Sequence, residues 1–127
     1  MRLERVRLPN HPGSASRARS FTARQLRAAG MQGVATDLGL LLISELATNA
    51  LRHAGTEFEV EVAPTARGVR VAVSDDDPRR PREPLVLPGP DAEGGRGLAI
   101  VARLADRWGV EGDPLGKTVW FELDRRP

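Results

Sequence analysis

The segment ISELATNALRHAG, residues 43–55, places Glu45 and Asn49 four residues apart in a stretch otherwise rich in Leu, Ile and Ala. On a helix the two side chains lie one turn apart on one face, and Arg52 continues the column. As residue types, a carboxylate can accept a proton and an amide oxygen can ligate a hard cation. Leucines surround this column: Leu38, Leu41 and Leu42. Because a dry, unpaired carboxylate is costly, we expect the column to border a polar cavity.

The same column admits a plainer interpretation. Glu45 would pair with Arg52 or cap a loop, and Asn49 would bond to the backbone. A functional interpretation therefore needs matching features elsewhere in the chain.

The helix that carries this column is predicted to begin near Thr36, a good N-cap, with Asp37 in its first turn. It should continue to about His53 and end before Gly55. A separate face is apolar and is expected to pack on a sheet: Leu40, Ile43, Ala47, Ala50 and Leu51. The polar column should therefore point away from that sheet.

Alternating polar and apolar residues predict the strands of that sheet. A first strand is predicted within residues 2–9, and a hairpin within residues 57–64 and 69–75. A closing pair is predicted from DRWGVEG and KTVWFELD, residues 106–112 and 117–124. One further helix should run from Ser14 or Ser16 to about Ala29, closed by Gly30, and another from about Leu98 to Asp106.

This order, β-α-α-β-β-loop-α-β-β, predicts an α+β fold. The expected architecture is a two-layer sandwich with a mixed, mostly antiparallel sheet and the helices on one face. The 127 residues fit a single domain, residues 1–127. The 22 residues from 76 to 97 contain five Pro and four Gly, which predicts a long functional or disordered loop.

Composition limits the function classes. The chain has no Cys, which excludes disulfides and cysteine chemistry, and its two His give no histidine metal cluster. We find no signal peptide and no run of about 20 apolar residues, so we expect a cytoplasmic protein without a membrane segment. Residues 1–30 carry seven Arg and one acid, Glu4, which suits an acidic partner. Direct nucleic-acid binding is disfavoured, because no aromatic stacking set accompanies the charge.

The helix segment and three later segments together resemble the GHKL, or Bergerat-fold, ATP-binding superfamily. They are most similar to the small bacterial anti-sigma-factor serine/threonine kinases. SELATNALRHAG resembles the N-box of that family. The resemblance implies that Glu45 is the general base and that Asn49 ligates a Mg²⁺ bridging the phosphates of ATP. It also places His53 near the nucleotide, with a packed or half-exposed side chain at the helix end as the alternative.

The second and fourth segments resemble the nucleobase end of the family's site. In VAVSDDDPRRP, Asp75 matches the Asp that binds the adenine amino group, normally within Asp-x-Gly-x-Gly. Asp77 and Arg79 replace the two glycines. Asp77 is still predicted to bind ATP. In GKTVWFEL, the resemblance places Thr118 beside Asp75.

The third segment, EGGRGLAIV, resembles the family's glycine-rich phosphate box. It implies that Gly95, Arg96, Gly97 and Leu98 bind ATP, with backbone amides at a helix N-terminus facing the phosphates. Residues 76–97 then become the ATP lid. Three lid arginines are interpreted as solvated surface, with phosphate contact as the alternative: Arg79, Arg80 and Arg82.

A P-loop is rejected for GDPLGKT. Only three residues separate Gly112 from Gly116, where a P-loop needs four, and the residues that follow are strand-like.

The resemblance implies an ATP-binding regulator. It would transfer the γ-phosphate of Mg-ATP to a Ser or Thr of a STAS-type anti-anti-sigma partner, and/or sequester a sigma factor. Members of the family commonly form homodimers, although no segment here identifies an interface. The alternative, motivated by Asp77 and Arg79, is a degenerate binding module with weak or no ATP turnover. A histidine kinase is disfavoured, because no phospho-acceptor helix precedes the domain.

Overall fold

A five-stranded sheet forms one layer of the fold in a computed structural model that describes residues 2–77 and 96–126. Its strands are β1 (Glu4–Leu8), β2 (Phe58–Pro64), β3 (Gly68–Asp75), β4 (Arg107–Asp113) and β5 (Gly116–Asp124). They lie in the order β1-β2-β3-β5-β4. Each pairing among these described strands is antiparallel. The predicted α+β class is confirmed. The sheet formed by the described strands is antiparallel throughout, and not mixed as predicted.

The described residues also form three helices: α1 (Ser14–Ala28), α2 (Val34–Asn49) and α3 (Arg96–Leu104). A π-helical turn, Ala50–Ala54, follows α2 directly, and Gly55 ends it in the left-handed region at φ 67°. The α2 helix begins two residues before the predicted Thr36 cap. Gly33 precedes it with φ 60°, and the Gly33 carbonyl accepts a hydrogen bond from the Asp37 N–H. A glycine thus begins α2, because this backbone conformation is open to few other residues.

The core lies between the helices and one sheet face. Strand alternation places these buried sheet residues on that face: Phe58, Val60, Val62, Val69, Val71, Val73, Phe121 and Leu123. The α2 helix buries a partly different stripe from the predicted one: Ala35, Gly39, Leu42, Ile43, Leu46 and Ala47. Leu42, expected to flank the polar column, is fully buried, whereas Leu40 and Leu51 are only half-buried. The close contact between α1 and α2 explains why α2 buries a different face from the predicted one.

Gly39 shows how tight that contact is, because a Cβ there would lie 2.7 Å from Leu26 Cδ1.

Among the described residues, the stretch Val34–Arg52 has the length and composition of a membrane-spanning helix, which the sequence had not predicted. In this fold its apolar stripe contacts α1 and the sheet.

Candidate active site

Glu45 and Asn49 lie at the carboxyl end of α2, and both side chains are half-buried. Arg52, in the π-helical turn, is exposed. Within residues 2–77 and 96–126 no ion pair joins Glu45 to Arg52, and no side-chain hydrogen bond engages Asn49. The plainer interpretation of the column therefore finds no support in the described part of the chain.

The α2 helix widens into the π-helical turn immediately after Asn49. Such turns are rare, and they occur often at functional sites because they redirect the side chains beside them. Asn10 holds this turn in place: its Nδ2 donates to the carbonyls of Leu51 and Thr56, both at 3.4 Å. The Thr56 hydroxyl in turn accepts a hydrogen bond from the Asp76 N–H at 3.2 Å. The end of α2 is thus tied to the end of β3.

Asp75 ends β3 and is buried, with a side chain that is only 5% exposed. Its Oδ1 accepts a hydrogen bond from the Asp77 N–H at 2.8 Å. Its Oδ2 lies 3.0 Å from the Nζ of Lys117, a side chain that is 14% exposed. Asp77 Oδ2 lies 3.9 Å from the same Nζ. We call these three residues, Asp75, Asp77 and Lys117, the carboxylate–lysine cluster.

Lys117 is the neighbour of Asp75 that the sequence interpretation missed. The antiparallel β3–β5 register pairs Asp75 with Lys117, and it pairs Ser74 with Thr118. Side chains alternate between faces, so the side chain of Thr118 lies on the opposite face from that of Asp75 and contacts Ser74, with 2.8 Å between the two hydroxyl oxygens. Thr118 thus lies beside Ser74 rather than beside Asp75, and its role in ATP binding stays a prediction. Lys117 is also the only lysine in the chain, a signal visible in the sequence.

A polar cavity of about 370 Å³ lies at the ends of β3 and β5, beside the β4–β5 turn. Its lining includes Asp75, Lys117 and Leu115, and neither Glu45 nor Asn49 contributes to it. Leu115 is 81% exposed at its rim. The size is within the range of small-ligand pockets. Ser74 and Thr118, whose side chains lie on the other face of the sheet, also line the cavity. The cavity therefore marks the ends of the strands and does not extend to the α2 residues.

Arg7 braces the backbone next to the carboxylate–lysine cluster. Its Nε donates to Glu57 Oε1 at 2.8 Å, and its Nη2 donates to Asp76 Oδ2 at 2.7 Å. The hydrogen bond to Glu57 and the charge of Asp76 raise the pKa of Arg7 above its ordinary value. A strand on the far side of β2 thus helps to hold the residue that follows Asp75.

The other predicted ATP-binding residues fall at the edge of the described structure. Arg96 and Gly97 begin α3, and Leu98 is half-buried against the core. The α3 helix contacts α2, the helix that carries Glu45 and Asn49. His53 lies in the π-helical turn. Gly95 and residues 78–94 of the predicted lid lie outside the described residues, so their roles stay predictions.

The side chains at the site suit Mg²⁺ better than they suit a metal ion whose ligands all come from the protein. Among the described residues no group of three or more His, Cys, Asp or Glu side chains could hold a metal ion. Mg²⁺ usually takes one or two protein oxygens and completes its shell with phosphates and water. The half-buried amide of Asn49, unengaged by other described side chains, fits that use.

Comparison with known proteins gives a consistent result. Residues 8–123 match the family described as the histidine kinase-like ATPase domain. An uncharacterized protein of Streptomyces coelicolor is 42% identical over 76 residues, which are 54% of this chain and 69% of that protein.

A solved structure shares the fold. It contains the RsbU and RsbW domains of Rv1364c from Mycobacterium tuberculosis and matches 100% of this chain with a TM-score of 0.75 at 20% identity. The present chain spans 34% of that longer chain. At this identity the likeness establishes the architecture alone.

Proposed function

Because the chain belongs to the histidine kinase-like ATPase domain family, we propose that it is an ATP-binding regulator of the anti-sigma-factor type. It binds Mg-ATP and transfers the γ-phosphate to a Ser or Thr hydroxyl of a protein partner. The observation that carries this proposal is the pair Glu45 and Asn49. Both are half-buried, they lie one turn apart, and no other described side chain engages them.

The proposed chemistry depends on positioning and charge. The Asn49 amide oxygen holds Mg²⁺, which when bound neutralises charge on the phosphates. The Glu45 carboxylate lies one turn away and accepts the proton of the attacking hydroxyl. Backbone amides at the start of α3, which contacts α2, face the phosphates. Asp75 at the end of β3 receives the nucleobase.

The proposed partner is a STAS-type anti-anti-sigma protein, with sequestration of a sigma factor as a second activity. The RsbU and RsbW domains named for the structurally similar protein support this choice of partner class. The excess of Arg in residues 1–30 suits an acidic protein surface, and α1 carries much of it. We further propose that the protein acts in the cytoplasm as a single domain, residues 1–127 with 76–97 as the lid, and that it forms a homodimer.

A second candidate function has one observation in its favour. Asp75 already receives the Asp77 N–H and the Lys117 ammonium. If these contacts exclude the nucleobase, the chain is a degenerate binding module that holds a partner with weak or no ATP turnover.

Calorimetry separates the two functions. We expect wild type to bind ATP in the presence of Mg²⁺, and Asn49→Ala to lose about tenfold or more of that affinity, the scale of one contact to a charged group. ATP binding without Mg²⁺ should differ little between the two proteins. Transfer of labelled phosphate from ATP to co-purified partner then tests the kinase activity. Absence of binding at millimolar Mg-ATP would favour the binding module.

A further inference from the structure

The cluster at the end of β3 and β5 places a hydrogen-bond acceptor beside a donor. The Asp75 carboxylate only accepts hydrogen bonds, and the Lys117 ammonium only donates them. They lie 3.0 Å apart, with side chains 5% and 14% exposed. Any nucleobase that reaches Asp75 therefore meets Lys117 as well.

Lys117 is held at this place by two carboxylates. Asp75 contacts its Nζ directly, and Asp77 Oδ2 lies 3.9 Å away. The Asp77 N–H also fixes the orientation of the Asp75 carboxylate. Asp77 thus does more than replace a glycine, because it helps to keep the ammonium beside Asp75.

Stability alone gives little reason for this arrangement. A buried ion pair is often no more stabilising than well-packed apolar residues of similar size, because both charges lose their hydration. The neighbouring pairs in the β3–β5 register, Val73–Val119 and Val71–Phe121, are apolar. The charged pair occurs where the strands end at the cavity. This placement points to a ligand.

We propose that Lys117 is a specificity-determining residue that allows the nucleobase end to accept 6-oxo purines as well as adenine, an inference that rests on the proposed nucleotide-binding function. A lone carboxylate selects an amino group at purine C6 and repels a carbonyl oxygen there. Adenine offers a donor at N6 and an acceptor at N1, whereas hypoxanthine offers an acceptor at O6 and a donor at N1. The Asp75 carboxylate can accept from N6 of adenine or from N1 of hypoxanthine. The Lys117 ammonium can donate to N1 of adenine or to O6 of hypoxanthine.

The test compares Mg-ATP with Mg-ITP, whose bases differ only at C6 and in the proton at N1. Calorimetry gives both dissociation constants for wild type, Lys117→Met and Lys117→Arg. The control is Arg70→Met, which removes a cation from the opposite face of the sheet, where Arg70 lies 4.1 Å from the centroid of the Trp120 ring. Thermal unfolding shows whether each variant is folded.

We expect wild type to bind ATP and ITP within about tenfold of each other. Lys117→Met should raise the preference for ATP by about tenfold or more, chiefly through loss of ITP binding. The lone Asp75 carboxylate would still accept from the adenine amino group, but it would repel the carbonyl oxygen of hypoxanthine. Lys117→Arg should retain ITP binding, and Arg70→Met should leave the ratio unchanged.

Two results would overturn the inference without touching the proposed function. One is a wild type that prefers ATP over ITP by more than about a hundredfold, a measurement that needs no variant. The other is a Lys117→Met variant that is folded and loses both nucleotides equally. If wild type binds neither nucleotide at millimolar concentration, the proposed function fails and takes this inference with it.

Discussion

The carboxyl end of α2 and the shared end of β3 and β5 differ in how far their polar groups are already engaged. At the end of α2, Glu45 and Asn49 are half-buried and no other described side chain engages them. At the strand ends, both oxygens of Asp75 already accept contacts, from Lys117 and from the Asp77 N–H. The helix end is thus prepared for a ligand that brings its own charges. The strand end instead already contains a cation that a ligand must share or displace.

This contrast separates two functions of the proposed site, which are phosphate transfer and base recognition. Groups that act on phosphates need a metal ion and a hydroxyl from outside, so they remain open in the free protein. Groups that recognise a base can be satisfied internally, and the choice of internal partner then decides which base is accepted. We therefore expect changes at the helix end to alter the rate of transfer and the Mg²⁺-dependent part of the affinity. Changes at the strand end should alter nucleotide selectivity and the affinity for the base.

The largest effect is expected from Glu45→Gln. The amide cannot accept the proton of the attacking hydroxyl, so phosphate transfer should fall by about 10²–10⁴-fold. Mg-ATP affinity should change little, because the proposed Mg²⁺ ligand, Asn49, is retained. Single-turnover transfer from labelled ATP, with calorimetry alongside, measures both quantities.

Glu59→Gln is the matched control, because Glu59 lies in β2 and is not among the residues that line the cavity. Transfer at the wild-type rate in Glu45→Gln would remove the base role from Glu45. A parallel loss in Glu59→Gln would point to a general effect of charge.

The sequence predicted the element order and the Glu45–Asn49 column, because helix and strand periodicities are local properties. It did not predict the π-helical turn after Asn49, where the described side-chain contact is long-range: Asn10 donates to the carbonyl of Leu51, 41 residues away. It also placed Thr118 rather than Lys117 beside Asp75. A shift of one residue in register exchanges the two faces of a strand, and the pairing of β3 with β5 is a long-range property.

A smaller effect is expected from Gly116→Ala, which perturbs the strand end. A Cβ at Gly116 would lie 2.0 Å from the carbonyl oxygen of Asp75, so the backbone beside the carboxylate–lysine cluster must move. We expect the free energy of unfolding to fall by about 1–3 kcal/mol, as in other overpacked sites. Nucleotide affinity should fall as well, because the backbone that carries Asp75 moves. Urea unfolding and calorimetry measure the two effects.

Gly68→Ala provides the comparison at the other end of the same strand pair. Its Cβ would lie 2.0 Å from the carbonyl oxygen of Leu123, an equally severe contact with backbone. This variant should lose similar stability and retain nucleotide affinity. Equal losses of affinity in both variants would show that the strand ends do not differ in function.

The smallest effect is expected from Asp106→Asn, beside the end of β5 that is remote from Lys117. The Asp124 N–H donates to Asp106 Oδ2 at 2.8 Å, and Arg126 forms an ion pair with it. Burial alone would raise the pKa of Asp106, but these partners outweigh burial and lower the pKa below its ordinary value. Because the folded-state pKa is lowered, the stabilisation is present above the unfolded-state value of about 3.9 and is lost as pH falls through the folded-state value.

The difference in unfolding free energy between wild type and Asp106→Asn should therefore be constant from neutral pH down to about pH 5 and shrink below pH 4. Urea unfolding at several pH values measures it, and the neutral variant should lack that part of the acid sensitivity. Mg-ATP affinity at neutral pH should be unchanged, because Asp106 contacts Asp124, which lies at the opposite end of β5 from Lys117. A loss of affinity in Asp106→Asn would mean that the two ends of β5 are coupled. Nucleotide binding would then depend on the whole β4–β5 hairpin, and not only on the end that carries Lys117.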